Sequence, residues 1–202
     1  MPLTITYYAG ISSPWTYLGH ERICQLAKKY NAILHFKPIE FGTVFGKTGG
    51  LPLAKRAPER QNYRFVELDR WRKELAIDLN PRPEYFPVAP DRAALMCILV
   101  EQEGHNELAL AGAFMRAVWA EDRNVADDNT LVEITNQAGF DGKRLLNASD
   151  SPELRSLYES YTNEAVEQGV FGAPSYVIGE EIFWGQDRLM FVEKKLKQES
   201  EK

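Results

Sequence analysis

Ser13-Pro14-Trp15-Thr16 stands where a strand gives way to a helix, the junction at which many thiol proteins place Cys-x-x-Cys. Ser13 and Thr16 fill both cysteine positions, which removes disulfide exchange from this junction. Two roles suit the residues that are present. Ser13 can cap the helix, with Pro14 in its first position. The free N–H groups and partial positive charge of that terminus can also hold an anion, and a thiolate brought by another molecule is one such anion.

Two more segments carry candidate chemistry. Residues 169–176 (GVFGAPSY) set Pro174 after Gly-Ala and directly before a strand, and residues 184–189 (WGQDRL) set Gln186 and Asp187 at the start of the last helix, where Asp187 also suits an N-cap. The two cysteines, Cys24 and Cys97, lie far apart inside helical patterns, which argues against a disulfide framework and a zinc site and reads as two buried structural thiols. Cys24 is about three turns, ~16 Å, beyond Ser13 along the helix, too far to resolve a disulfide there.

The elements that must position these residues are legible from period. Leu3 to Tyr8 (LTITYY) alternates as a strand, Pro14 to about Asn31 has helical spacing with Gly19, Ile23, Leu26, Ala27 and Tyr30 on one face, and Ile33 to Phe41 is a second strand. That order predicts a βαβ unit with parallel strands and a right-handed crossover. A Gly-rich loop follows, then a helix from Pro58 carrying Tyr63, Leu68, Trp71, Leu75 and Leu79, then a Pro-rich loop over residues 80–90. Helical spacing resumes over residues 91–103, 107–121, 128–138, 141–147 and 151–168, with Asp91, Asp128 and Ser151 as expected caps. Strands over 174–179 and 181–184, joined by a Gly179-Glu180 turn, and a helix from Asp187 to about Gln198 close the chain, burying apolar residues drawn from Leu189, Met190, Phe191, Val192 and Leu196. The ESEK tail is expected to fray.

Composition excludes several classes. With 202 residues, 44% of them hydrophobic, the chain can bury a real core. Its formal charge of −5 is unsuited to a nucleic-acid partner. The start MPLTITYYAG has no charged segment ahead of a long apolar run, and no stretch is long and apolar enough to span a membrane, so a cytoplasmic protein is expected.

Ser-Pro-Trp-Thr-Tyr-Leu-Gly from Ser13, Val-Phe-Gly-Ala-Pro ending at Pro174 and Phe-Trp-Gly-Gln-Asp-Arg-Leu ending at Leu189, in this order across essentially the whole chain, resemble the 2-hydroxychromene-2-carboxylate isomerases. These belong with kappa-class glutathione transferases in a DsbA-like branch of the thioredoxin superfamily. The resemblance implies an α/β fold with a thioredoxin-like core (βαβ and ββα) over residues 1–42 and 166–202, and an inserted all-helical domain over 43–165. It implies glutathione as cofactor and a homodimer. Ser13 matches the catalytic serine whose hydroxyl meets the glutathione sulfur, with Pro14 and Trp15 lining the thiol site. Ala173 matches the residue whose backbone pairs with the cysteinyl unit, ahead of a cis Pro174, and Gln186 and Asp187 match the pair that holds the γ-glutamyl end.

The implied reaction is reversible thiolate addition to an unsaturated aromatic pyruvate, so a small aromatic carboxylate is the expected substrate. Lys47, Arg92 and Tyr85 are expected to bind it, with Lys55 and Arg56 as further cations and Phe86 and Trp119 as aromatic walls; no metal is expected. One departure stands out: Gly50 occupies the place of an asparagine that contacts glutathione in many relatives. The rival readings are a kappa-class-like transferase or peroxidase, a non-catalytic thioredoxin-like binding module and a disulfide oxidoreductase. The last lacks its cysteines at Ser13 and Thr16.

Overall fold

The computed structural model describes residues 3–201; Met1, Pro2 and Lys202, at the ends of the expected core segments, lie outside the described residues. β1 (Thr4–Ala9), α1 (Pro14–Lys29) and β2 (Ile33–Pro38) open the chain, with β1 and β2 parallel from Thr4↔Ile33 to Ala9↔Pro38. β3 (Ser175–Ile178) pairs antiparallel with β1, and β4 (Glu181–Trp184) antiparallel with β3, giving the sheet order β2-β1-β3-β4. α9 (Leu189–Ser200) follows. This is the expected thioredoxin-like arrangement, with the helical insertion between β2 and β3.

The period-two pattern of the strands divides the apolar residues between two cores. Ile5, Tyr7 and Ala9 of β1, with Phe36, Tyr176 and Phe183, face the larger core. It is continuous with α4 (Asp91–Gln102) and α5 (Glu107–Trp119), where Leu95, Phe114 and Trp119 are buried. Tyr8 and Val177 face a smaller core with Val44 and Ala165, beneath α2 (Phe41–Thr48) and α8 (Pro152–Glu167). The sheet is therefore covered on both faces. Between these elements lie α3 (Pro58–Glu74), α6 (Asp128–Gln137) and α7 (Gly142–Ala148).

Several local expectations are corrected. β2 stops at Pro38, and α2 replaces the first part of the expected Gly-rich loop. The Glu40 carboxylate accepts the Gly42 and Thr43 amides at the N-terminus of α2, Val44 is buried, Phe41 and Phe45 stack at 5.4 Å, and Gly49 at φ 79° ends the helix. Two glycines within eight residues hid this helix from propensity; its cap and its apolar contacts supply what propensity does not. Asp127, not Asp128, caps α6, and Asp91 is the first residue of α4 rather than its cap, while Ser151 caps α8 as expected. Asp187 caps nothing: it sits in a 3-10 turn, Gln186–Arg188, ahead of α9. Leu189, Val192 and Leu196 are the buried face of α9, leaving Met190 and Phe191 exposed, and the helix continues through the expected frayed tail to Ser200.

Candidate functional site

Ser13 sets the N-terminus of α1. Its backbone is extended, at φ −88° and ψ 124°, and its Oγ accepts the Thr16 amide at 3.2 Å, with Pro14 in the first turn. One hydroxyl lone pair is thus committed to the cap, while the O–H donates no hydrogen bond among the described residues. Ser13 is 7% exposed. Thr16, at the other position that a Cys-x-x-Cys motif would fill, is buried, and its Oγ1 accepts the Gly10 amide at 3.5 Å. Neither cysteine offers a thiolate: burial pushes the half-buried Cys24 thiol up to about 12 and raises the fully buried Cys97 as well.

The Ala173-Pro174 peptide is cis, and β3 begins at the next residue, Ser175, which pairs with Tyr8 of β1 ahead of that terminus. The Pro174 carbonyl accepts the Gly185 amide at 2.8 Å, which ties the entry of β3 to the turn after β4 and brings Gln186 and Asp187 alongside. Gly185 turns at φ 104°, a conformation open to glycine and strained for other residues. Gln186 is 2% exposed. Arg22 of α1 holds it, donating to its backbone carbonyl at 3.2 Å and to its side-chain oxygen. With Oε1 on a cation, the amide orientation is fixed and Nε2 is left as a donor. The Asp187 carboxylate pairs with Arg188 at 2.9 Å.

The close approach of α1 to this turn depends on Gly19. A Cβ there would lie 2.7 Å from the Tyr176 hydroxyl and 2.9 Å from the Gln186 Cβ. Gly19→Ala is therefore expected to push Gln186 outward and lower stability by about 1–3 kcal/mol, the usual cost of overpacking. Urea unfolding checks this, and an unchanged midpoint would show that the contact yields freely.

Trp15, Ala173, Gln186 and Asp187 line one cavity of about 400 Å³. Its facing residues come from α3, where Arg60, Tyr63, Arg64, Glu67 and Trp71 recur at helical spacing. Arg56, Trp184 and Arg188 complete the positions that matter here. Four arginines meet two carboxylates in this lining, a basic cavity on a chain of net charge −5. Clefts of one charge sign concentrate ligands of the other. Ser13 and Pro14 are buried and are not among the lining side chains; Trp15 is the residue of that terminus that reaches the cavity.

The residues expected to meet a second substrate are not brought here. The Lys47 Nζ donates to Asn163 Oδ1 at 2.9 Å, Arg92 pairs with Asp128, and Tyr85 is 41% exposed; none of them lines this cavity. Lys55 is also absent from it, whereas Arg56 is present. Trp119 is fully buried against Phe86, with ring centroids 4.9 Å apart, and packs as core rather than as a wall. Gly50 lies against the Phe45 ring, which occupies the space that any Cβ would need, so an asparagine does not fit this loop as packed.

Arg60, Arg64 and Glu67 were invisible to a reading that took the apolar period of α3 alone. The available signal was a charge, Arg64, four residues before Leu68 on the face that packs inward. Among the described residues no cluster of three or more His, Cys, Asp and Glu could hold a metal, and no helix is long and apolar enough to cross a membrane. A second cavity, of about 440 Å³, is lined by Glu40, Asp91, Arg155 and Glu159, and none of the candidate site residues lies on it.

The family model for a DSBA-like thioredoxin domain matches residues 4–197. The chain is 26% identical to a 2-hydroxychromene-2-carboxylate isomerase of Sphingobium xenophagum over 195 residues, covering 96% of this chain and 97% of that protein. It is 22% identical to the human protein named glutathione S-transferase kappa 1, covering 94% and 88% of the two chains. The solved structure of a selenomethionine 2-hydroxychromene-2-carboxylate isomerase superposes with a TM-score of 0.82 at 23% identity, covering 97% of this chain and 95% of that one.

Proposed function

The chain belongs to the DSBA-like thioredoxin domain family, and from that premise we propose that it is a glutathione-dependent isomerase of a small conjugated aromatic carboxylate. The observation that carries this reading is the helix terminus: a thioredoxin-type α1 begins at Ser13, whose hydroxyl proton is uncommitted, beside a basic cavity and with no usable thiol of its own. The likeness over nearly full length to proteins named as isomerases and as kappa glutathione transferases supports it.

The residues present fit a γ-glutamyl peptide thiol, which carries two carboxylates, an amino group and a sulfhydryl. When bound, glutathione supplies a nucleophilic thiolate that adds to and leaves the unsaturated substrate, so that the intervening single bond can rotate. Ser13 donates its O–H to the sulfur while its Oγ keeps the cap on Thr16. The α1 terminus adds its partial positive charge, worth about 0.3–2 kcal/mol, and a hydrogen bond to a charged partner adds about 1.5–3 kcal/mol before desolvation is subtracted. Gln186, braced by Arg22, and Asp187 hold the γ-glutamyl end, and the Ala173 backbone holds the cysteinyl unit. Trp15 shields the reacting sulfur from water. The reaction is an internal rearrangement and calls for no oxidant or metal.

Incubation with 2-hydroxychromene-2-carboxylate and a catalytic amount of glutathione, followed by ultraviolet spectroscopy, tests the reading. Conversion is expected only when glutathione is present, with all of it recovered as free thiol. Stoichiometric consumption would instead mark a transferase, and absence of saturable glutathione binding would mark an inert module.

A further inference from the structure

We propose that Arg64 is the receptor for the carboxylate of a flat, conjugated acid that enters the cavity beside glutathione. This rests on the functional reading above and names the residue that sets its substrate class. Arg64 is 9% exposed, it lines the cavity, and its buried Nη2 has no hydrogen-bond partner among the described residues. Buried guanidinium groups are ordinarily paired, because an ion taken out of water without a counter-charge is strongly penalised. Among the described residues, the charge that acts on Arg64 is that of another cation, Arg56. Burial and that neighbour together push its pKa down to about 10, so the charge is still present at neutral pH.

The two carboxylates on the same lining pair with arginines other than Arg64. Glu67 pairs with Arg70 at 2.6 Å, and Asp187 with Arg188 at 2.9 Å. What surrounds the Arg64 guanidinium is a set of rings, with the centroids of Phe86, Trp119 and Phe65 at 5.1, 5.6 and 5.7 Å. Ring faces attract the cation but accept none of its in-plane hydrogen bonds with useful strength. The planar fork is therefore held in place with donors unspent, a geometry that matches a carboxylate.

The surroundings select among carboxylates. Arg56 is half-buried and Arg60 exposed, so these are the cations suited to the solvated carboxylates of a peptide thiol. Arg64 lies deeper, on an α3 face that also offers Tyr63 and Trp71 to the cavity, with Trp15 contributed by α1. Flat aromatic surface around one buried, unpaired guanidinium suits a conjugated acid whose body stacks while its carboxylate is gripped.

The test uses benzylidenepyruvate and its methyl ester as probes, titrated by calorimetry into the full-length protein and into Arg64→Met and Arg64→Lys, with glutathione titrated separately into each. The acid is expected to bind the parent protein at least about tenfold more tightly than the ester, in line with a charge-assisted bidentate contact. Arg64→Met should abolish that preference, leave ester binding within about twofold and leave glutathione affinity unchanged, and Arg64→Lys should recover part of the preference. Equal binding of acid and ester by the parent protein would overturn the proposal without needing any variant. Equal loss of glutathione and acid binding in Arg64→Met would overturn it too, by making Arg64 a glutathione contact. Acid selectivity that depends on Arg64, in a protein that binds no glutathione, would uphold this assignment and sink the isomerase reading instead.

Discussion

Ser13→Ala is expected to lower glutathione-dependent turnover by about 10- to 100-fold while leaving glutathione affinity within a few-fold of the parent. The range follows from removing a hydrogen bond to a charged partner, worth about 1.5–3 kcal/mol, at about 1.4 kcal/mol per tenfold in rate. Binding survives because the contacts assigned to Gln186, Asp187 and Ala173 are untouched. The substitution also uncaps α1, since Ser13 Oγ accepts the Thr16 amide at 3.2 Å, and that costs about 1 kcal/mol of stability. The two losses are separable. Ser13→Gly restores much of the cap preference without the hydroxyl and should be as inactive as Ser13→Ala, whereas Ser13→Thr keeps both functions and should retain most of the rate. Steady-state kinetics alongside urea unfolding resolves the pattern, and full activity in the alanine variant would remove Ser13 from the chemistry.

Trp119→Ala is expected to destabilise the protein by about 3–5 kcal/mol, the range for deleting a large aromatic side chain from a core. Trp119 is fully buried, packs on Phe86 with centroids 4.9 Å apart and on the Arg64 guanidinium, and its carbonyl accepts the Asn80 amide at 2.6 Å, anchoring the Pro-rich loop. The backbone anchor survives the substitution; the ring contacts do not. Trp119→Phe should cost far less, because it keeps an aromatic face and removes an indole N–H that is buried with no partner among the described residues. Equilibrium urea unfolding distinguishes the two, and a Trp119→Ala loss below about 1 kcal/mol would mean that the core closes over the gap.

The framework of the molecule was readable because it rests on local periods. The alternation of LTITYY gives β1 its two buried faces, and Ser13-Pro14 and Ser151-Pro152 announce helices that begin where their caps say. Pro174 and Gln186 were legible only through resemblance; nothing in the spacing alone brings residues 13, 174 and 186 together, since a sheet with β1 beside β3 is required to do so. α2 was missed because its stability comes from Glu40 and the smaller core rather than from the propensity of FGTVFGKT. The cations expected from loop position, Lys47 and Arg92, found ordinary partners in Asn163 and Asp128. Of the cations that line the cavity, Arg56 was among those expected, whereas Arg60 and Arg64 sit on α3, where their register depends on how that helix packs, and sequence period could not separate a buried arginine from a solvated one.

The most direct test of a helix terminus that stabilises a borrowed thiolate is a pH titration of the ultraviolet thiolate signal of glutathione at saturating protein. Free thiols titrate near ~8.5. The anion is the form favoured by the Ser13 hydroxyl and the α1 terminus, so the bound midpoint is expected to fall by about one to two units, with thiolate present at neutral pH and lost as pH drops through that lowered value. A midpoint indistinguishable from that of free glutathione, in protein shown to be saturated, would contradict it.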